Sequence, residues 1–146
     1  MKNRTYAGII LITLISLLTN ATPVEARTES ALVLRDSSSI VETNWIRITH
    51  KPVNAKIYAH RFLVRNNRQY SCLNSIWTHE SHWRWNANNN DGHRTWGIPQ
   101  AHPGYKMGKG WKTNPIVQMR WGIHYIKARY GTPCRAWHFW RGHRWY

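Results

Sequence analysis

Two stretches of the chain carry clear helical patterning. Leu73, Ile76, Trp77 and Glu80 lie at i, i+3, i+4 and i+7, so a helix over about 68–82 presents all four on one face. Three are apolar. The fourth is a carboxylate, costly on a buried stripe unless it is paired or protonated. Ile116, Met119, Ile123, Ile126 and Tyr130 repeat the 3-4 spacing. Asn114 is a good N-cap for that second helix and Pro115 suits its first position. Lys127 and Arg129 complement the dipole in its last turn, Gly131 fits the C-cap, and Pro133 prevents continuation.

Other segments are patterned less strongly. A short helix is expected from Lys56, with Ile57, Ala59, Phe62 and Leu63 on one face and a turn at Asn66-Asn67. Residues 86–94 read as a polar loop around Asn88-Asn89-Asn90-Asp91-Gly92, a run of turn formers. Gly97 to Lys112, with its glycines and prolines, is expected to be mostly irregular. Residues 27–55 show no sustained period. Asp36-Ser37-Ser38-Ser39 reads as a turn or linker there, and the segment is either a lead-in or a short first element packed on the domain. No alternating strand pattern or internal repeat is present. The predicted fold is all-α with long loops.

The N-terminus reads as a secretion signal. Lys2 and Arg4 precede an apolar run from Tyr6 to Leu18, and Val24-Glu25-Ala26 has the small-residue spacing of a cleavage site. The run is short for a bilayer span, which needs about 20 residues; an uncleaved anchor is the alternative. Cleavage after Ala26 leaves a lead-in over 27–55 and one domain over 56–146, in a secreted, extracellular protein. In that compartment the two cysteines, Cys72 and Cys134, are expected to pair. The bridge is worth about 4 kcal/mol in the chain-entropy model.

Charge narrows the chemistry. The chain holds 21 Lys and Arg against 6 Asp and Glu. An exported protein this basic meets polyanions such as anionic wall polymers, lipid surfaces or nucleic acid, and charge alone does not choose among them. From residue 43 onward there are 17 Lys and Arg but only two carboxylates, Glu80 and Asp91. Carboxylate chemistry in the domain must use one of these.

Glu80 lies in Trp77-Thr78-His79-Glu80-Ser81-His82-Trp83-Arg84-Trp85, which at first suggests a zinc-protease helix. That motif needs histidines at i and i+4. Here His79 and His82 are at i and i+3, and no third ligand is evident, so no metal and no cofactor are expected. Glycoside cleavage fits better. It needs a carboxylic acid held protonated near neutral pH by desolvation, and an apolar helical face between Trp77 and Trp83 supplies that setting. A neighbouring cation such as Arg84 would oppose it, and a buried ion pair with an arginine is the bland alternative for Glu80. Asp91, before Gly92, is ordinary turn chemistry, which leaves a mechanism with one carboxylate. The ten tryptophans serve the core for the most part, but loop residues such as Trp96 and Trp111 are placed to stack on sugar rings. The tail from Trp137 to Tyr146 lacks a clear amphipathic period.

Residues 71–146 resemble the lytic transglycosylase domain of exported Gram-positive, actinobacterial-type cell-wall enzymes, in the goose-type lysozyme-like superfamily. The resemblance starts at Gln69-Tyr70-Ser71-Cys72-Leu73 and includes Glu80-Ser81, similar to the family's catalytic Glu-Ser. It continues through Gly97-Ile98-Pro99-Gln100, Trp111-Lys112-Thr113-Asn114-Pro115, Gln118-Met119-Arg120-Trp121-Gly122, Pro133-Cys134 and Ala136-Trp137 to Trp145-Tyr146. It implies a lysozyme-like helical domain acting as a monomer on peptidoglycan glycan strands, with no specific nucleic-acid partner. Glu80 would protonate the glycosidic oxygen between N-acetylmuramic acid and N-acetylglucosamine, then act as base while the muramoyl C6 hydroxyl attacks C1. The product would be a 1,6-anhydro sugar. Ser81 would support the site, and Gln100, Trp96 and Trp137 would line the sugar groove. Trp96 stands where relatives carry tyrosine, and Ala136-Trp137 is the nearest feature to their Ala-Tyr-Asn. The competing expectations are a muramidase that uses water with Asp91 assisting, and a non-catalytic cationic wall-binding or antimicrobial protein.

Overall fold

The computed structural model describes residues 23–88 and 94–146, with residues 23–35 as backbone only. The charged and apolar runs of the expected signal lie outside the described residues, and so does Asp91. Among the described residues no helix is long and apolar enough to cross a membrane. The chain divides into two units, Met1–Asp36 and Ser37–Tyr146; the functional residues are all in the second.

The described elements are helical. They are α1 (Pro23–Ile48), α2 (Pro52–Tyr58), a π-helical turn (Ala59–Leu63), α3 (Asn67–Ser81), a 3-10 turn (Gly104–Met107), α4 (Pro115–Tyr130) and α5 (Pro133–His143). Extended pairing among the described residues is limited to isolated bridges of Trp96 with Asn88 and Ala101. The fold is the expected all-α domain with long loops.

α3 and α4 follow their sequence signals closely. Asn66 caps α3 by accepting from the Gln69 amide at 3.0 Å. Asn114 caps α4 by accepting from the Ile116 amide at 2.9 Å. Leu73, Ile76 and Trp77 from α3 meet Ile116, Met119, Ile123 and Ile126 from α4 in one core. The Trp77 ring reaches α4 at Gly122, where a Cβ would lie 2.7 Å from it.

The first part of the domain differs from expectation. Residues 37–55 belong to the same compact unit as residues 56–146. Asp36 to Ser39 lie within α1 instead of forming a turn. They are exposed, and in that setting such residues cost a helix only about 0.5 kcal/mol each. α1 is held by packing further on, where Trp45 meets Tyr58 and Phe62 edge-on at 5.5 and 5.3 Å. The predicted face of the next helix is also corrected. Ala55, Tyr58 and Ala59 are buried, whereas Ile57 and Phe62 are 49% and 43% exposed. Ala55, Tyr58 and Ala59 share an i, i+3, i+4 face that leaves Ile57 outside; beyond Ala59 a π turn, in which the Val64 amide bonds back five residues to the Ala59 carbonyl at 2.9 Å, shifts the register of Phe62.

The tail read as aperiodic contains α5. Thr132 caps it, accepting from the Arg135 amide at 3.3 Å, and Pro133 sits at the helix start. The same proline therefore stops α4 and opens α5. Ala136 and Trp140 are its buried side chains beyond Pro133. α5 packs chiefly on α3, and Cys72 is bonded to Cys134 with Cα atoms 4.9 Å apart.

Mass spectrometry of the unreduced protein is expected to recover the Cys72 and Cys134 peptides linked. Replacing both cysteines with serine is expected to lower stability by about 2–5 kcal/mol, measured by denaturant unfolding. Two alkylatable thiols in the native protein would contradict the bridge.

Candidate active site

Glu80 is the penultimate residue of α3 and half-buried. The helix stops because His82 takes a left-handed conformation, with φ 54°. Trp83 follows at φ 63°. A left-handed bulky residue is strained, by about 1–3 kcal/mol, and here burial compensates. The turn drives the Trp83 ring fully into the core, edge-on to Trp77 at 4.9 Å. Its indole N–H donates to Asn74 Oδ1 at 3.1 Å.

The partner of Glu80 is a neutral donor. Trp140 Nε1–H donates to Glu80 Oε1 at 2.6 Å. Trp140 lies seven residues into α5, six beyond Cys134; Glu80 lies eight beyond Cys72. At about 1.5 Å per residue these offsets are roughly 9 and 12 Å. The two helices therefore run in the same sense, stapled at one end by the disulfide and at the other by the indole–carboxylate bond. Burial raises the Glu80 pKa above its ordinary 4.5; the Trp140 hydrogen bond pulls it down and does not win. No cation pairs with Glu80 among the described residues; the ion pair found there joins Arg120 to Glu42 at 3.3 Å. Arg84, the cation expected to oppose the shift, is exposed and donates from Nε to the Ser81 carbonyl at 3.2 Å.

Ser81, next along, is buried. Its Oγ–H lies 2.8 Å from the Ile98 carbonyl and 3.3 Å from the Trp77 carbonyl, so it braces the 97–101 loop rather than facing the groove. Gln118 secures the same loop from α4. It is fully buried, donates to the Trp85 and Trp111 carbonyls at 2.9 and 2.8 Å, and accepts from the Ile98 amide at 3.0 Å. Gly97, at φ 78°, admits this amide; a Cβ there would lie 2.5 Å from Gln118 Oε1. Tyr146 is the third brace. Its hydroxyl accepts from Trp77 Nε1 at 2.8 Å and donates to the Pro99 carbonyl at 3.0 Å. Burial first, and then the nearby Glu80 charge, push its pKa well above 10.0, so it stays a neutral phenol.

The sequence-predicted groove residues separate. Gln100 lines a cavity of about 280 Å³ together with Lys106, Trp121, Tyr125, Arg129 and Tyr146. Its amide turns back on its own loop, donating to the Gly97 carbonyl at 2.8 Å. Trp137 stacks on Trp140 at 5.2 Å and on His79 at 5.6 Å, so it flanks the donor of Glu80. Trp96 lines a different cleft, of about 320 Å³, with Tyr105, Trp111 and Lys112. His79 lies in the aromatic stack, 4.6 Å from the Trp140 ring, while His82 has left helical geometry, so the two do not form a ligand pair. Among the described residues no three His, Cys, Asp or Glu side chains cluster for a metal.

Trp140, Gln118 and Tyr146 carry much of the site without having been singled out from the sequence. Thr132-Pro133, the same cap-and-proline signal as Asn114-Pro115, together with Ala136 and Trp140 four residues apart, was the available sign of α5. The Tyr146 and Gln118 contacts are long-range and leave no local trace.

Glu80→Gln keeps an oxygen acceptor for Trp140 and removes the ionisable group. With the folded pKa raised, the native state binds the extra proton more tightly than the unfolded state. Wild-type stability therefore falls as pH rises from about 4.5 through the folded value. The Gln variant is expected to melt at a higher temperature than wild type near neutral pH, and to lose that advantage below the ordinary carboxyl value. A melting difference that does not change with pH would contradict the raised pKa.

No protein-family model, no curated protein and no solved structure matches the chain.

Proposed function

We propose that the protein is a secreted, lysozyme-like peptidoglycan lytic transglycosylase acting on the bond between N-acetylmuramic acid and N-acetylglucosamine. The observation that carries this reading is Glu80: a half-buried carboxyl with raised pKa, held by the neutral Trp140 indole. The Glu80 charge is felt by Tyr146, a lining residue of an aromatic and cationic cavity. A protonated carboxyl there can donate to a glycosidic oxygen as the C1–O bond breaks. The carboxylate left behind then takes the proton of the muramoyl C6 hydroxyl as that oxygen bonds to C1. The acid is regenerated, no water is consumed, and the product is the 1,6-anhydro sugar.

A single carboxylate suffices for this route. Besides Glu80, the acidic side chains described are Asp36 and Glu42, both exposed on α1, with Glu42 on Arg120. Asp91, the base of the water-using alternative, lies outside the described residues. The disulfide fits an oxidising compartment, and the high positive charge fits an anionic wall.

Digestion of purified cell wall with mass analysis tests the reading. Wild type is expected to release fragments lighter by one water than hydrolysis products. Glu80→Gln is expected to lower the rate by ~100-fold or more, the scale of general acid–base catalysis. Reducing muramic ends alone would establish the muramidase instead. Equal clearance by both proteins would remove Glu80 from the chemistry, and no release by either would favour the binding-only alternative.

A further inference from the structure

The cavity beside the 97–101 loop has a composition that acid catalysis at Glu80 does not require. Trp121, Tyr125 and Arg129 lie at i, i+4 and i+8 on α4 and form one wall. Trp121 and Tyr125 are stacked, with centroids 5.2 Å apart and planes 11° from parallel. Arg129 Nη1–H donates to the Tyr125 hydroxyl at 2.8 Å, and its guanidinium rests over the Tyr125, Tyr130 and Trp145 rings at 5.9, 5.6 and 5.1 Å. The arginine is therefore fixed in direction by groups that do not neutralise it. A guanidinium carries about five N–H donors, and the bond to Tyr125 leaves most of them open.

Lys106 faces the cavity from the 3-10 turn. Among the described residues its ammonium makes no ion pair or hydrogen bond. His102 adds a third basic lining group, and among the described residues no Asp or Glu side chain lines the space. The volume, about 280 Å³, gives room for a small charged substituent. Tyr146 belongs both to this cavity and to the surroundings of Glu80.

We infer that this cavity is a carboxylate subsite that recognises the acidic substituent carried by the muramoyl sugar, with Arg129 and Lys106 as its specificity-determining residues. The inference rests on the glycan-cleaving reading for the identity of the ligand. N-acetylglucosamine is neutral, so on the glycan strand the muramoyl unit is the carrier of negative charge. That charge has two sources: carboxylates of an attached peptide, or the lactyl carboxylate exposed when the peptide is removed. An aromatic wall with a cation at its end suits either, because it meets an apolar ring face and an anionic group together.

The test measures binding to the intact chain carrying Glu80→Gln, which prevents turnover. Three ligands are titrated by calorimetry: a peptide-bearing muramoyl oligosaccharide, the same oligosaccharide stripped of peptide, and a neutral N-acetylglucosamine oligomer. Adding Arg129→Gln or Lys106→Gln is expected to weaken a carboxylate-bearing ligand by ~10-fold or more, the scale of one charge-assisted hydrogen bond, and to leave the neutral oligomer unchanged. Both side chains are exposed, and unchanged melting temperatures confirm folding. Loss for the peptide-bearing ligand alone assigns the charge to the peptide; loss for the stripped ligand alone assigns it to the lactyl group; loss for both shows that the subsite takes either carboxylate. Equal weakening of all three ligands, or of none, overturns the subsite. Carboxylate-selective loss in a protein that releases no wall fragments would keep the subsite and discard the catalytic reading; wall cleavage without that selectivity would do the reverse.

Discussion

The hydrogen bond from the Trp140 indole to the Glu80 carboxyl, 2.6 Å long, sets the terms for the rest of the domain. A half-buried carboxylate in so basic a chain would ordinarily attract an arginine, and an arginine would lower its pKa and end its use as an acid. The neutral indole satisfies the oxygen without supplying a full charge. To reach Glu80, Trp140 must ride on a helix parallel to α3, and the Cys72–Cys134 bridge fixes that helix eight residues upstream of the carboxyl. Capping by Thr132 and Pro133, the disulfide and the aromatic stack of Trp140, Trp137 and His79 all serve one placement.

A second arrangement complements it. The 97–101 loop, which forms part of the cavity wall, has little regular structure of its own. It is held by Ser81 from α3, Gln118 from α4 and Tyr146 from the chain's end. Each of these comes from a different part of the chain, and two of them, Ser81 and Tyr146, also neighbour Glu80 or feel its charge. The acid and the cavity are therefore held in register by shared supports. The basic residues that give the chain its charge are displaced outward, where Arg129 and Lys106 meet the cavity instead of the carboxyl.

Much of this was legible locally. α3 and α4 announce themselves by apolar spacing and by Asn caps, and Glu80 stood out because it is one of two acids in the domain and lies on an apolar stripe. In α2 the inward face runs through Ala55, Tyr58 and Ala59 and leaves Ile57 outside; after Ala59 the π turn adds a residue, whereas periodicity assumes a constant 3.6-residue turn. α1 was not legible because tertiary contacts of Trp45 hold a segment whose Asp and Ser residues favour turns. Trp137 and Trp96 were both expected in the sugar groove. The first stacks against the donor of Glu80, while the second lines a separate cleft, a difference invisible in spacing. Gln100 sits on the cavity as expected, yet its amide braces the loop. The carboxyl's neutral partner depends on α3–α5 packing, which no local pattern specifies.

The central claim is that burial among aromatic groups, with an uncharged donor, keeps Glu80 a weaker acid than an ordinary glutamate. Titrating the Glu80 side-chain carboxyl by carbon-detected NMR measures this directly, in wild type and in Trp140→Phe. The predicted result is a pKa above 4.5 in wild type, rising further in the phenylalanine variant because the stabilising donor is gone. A wild-type value at or below 4.5, or a fall in the variant, would contradict it.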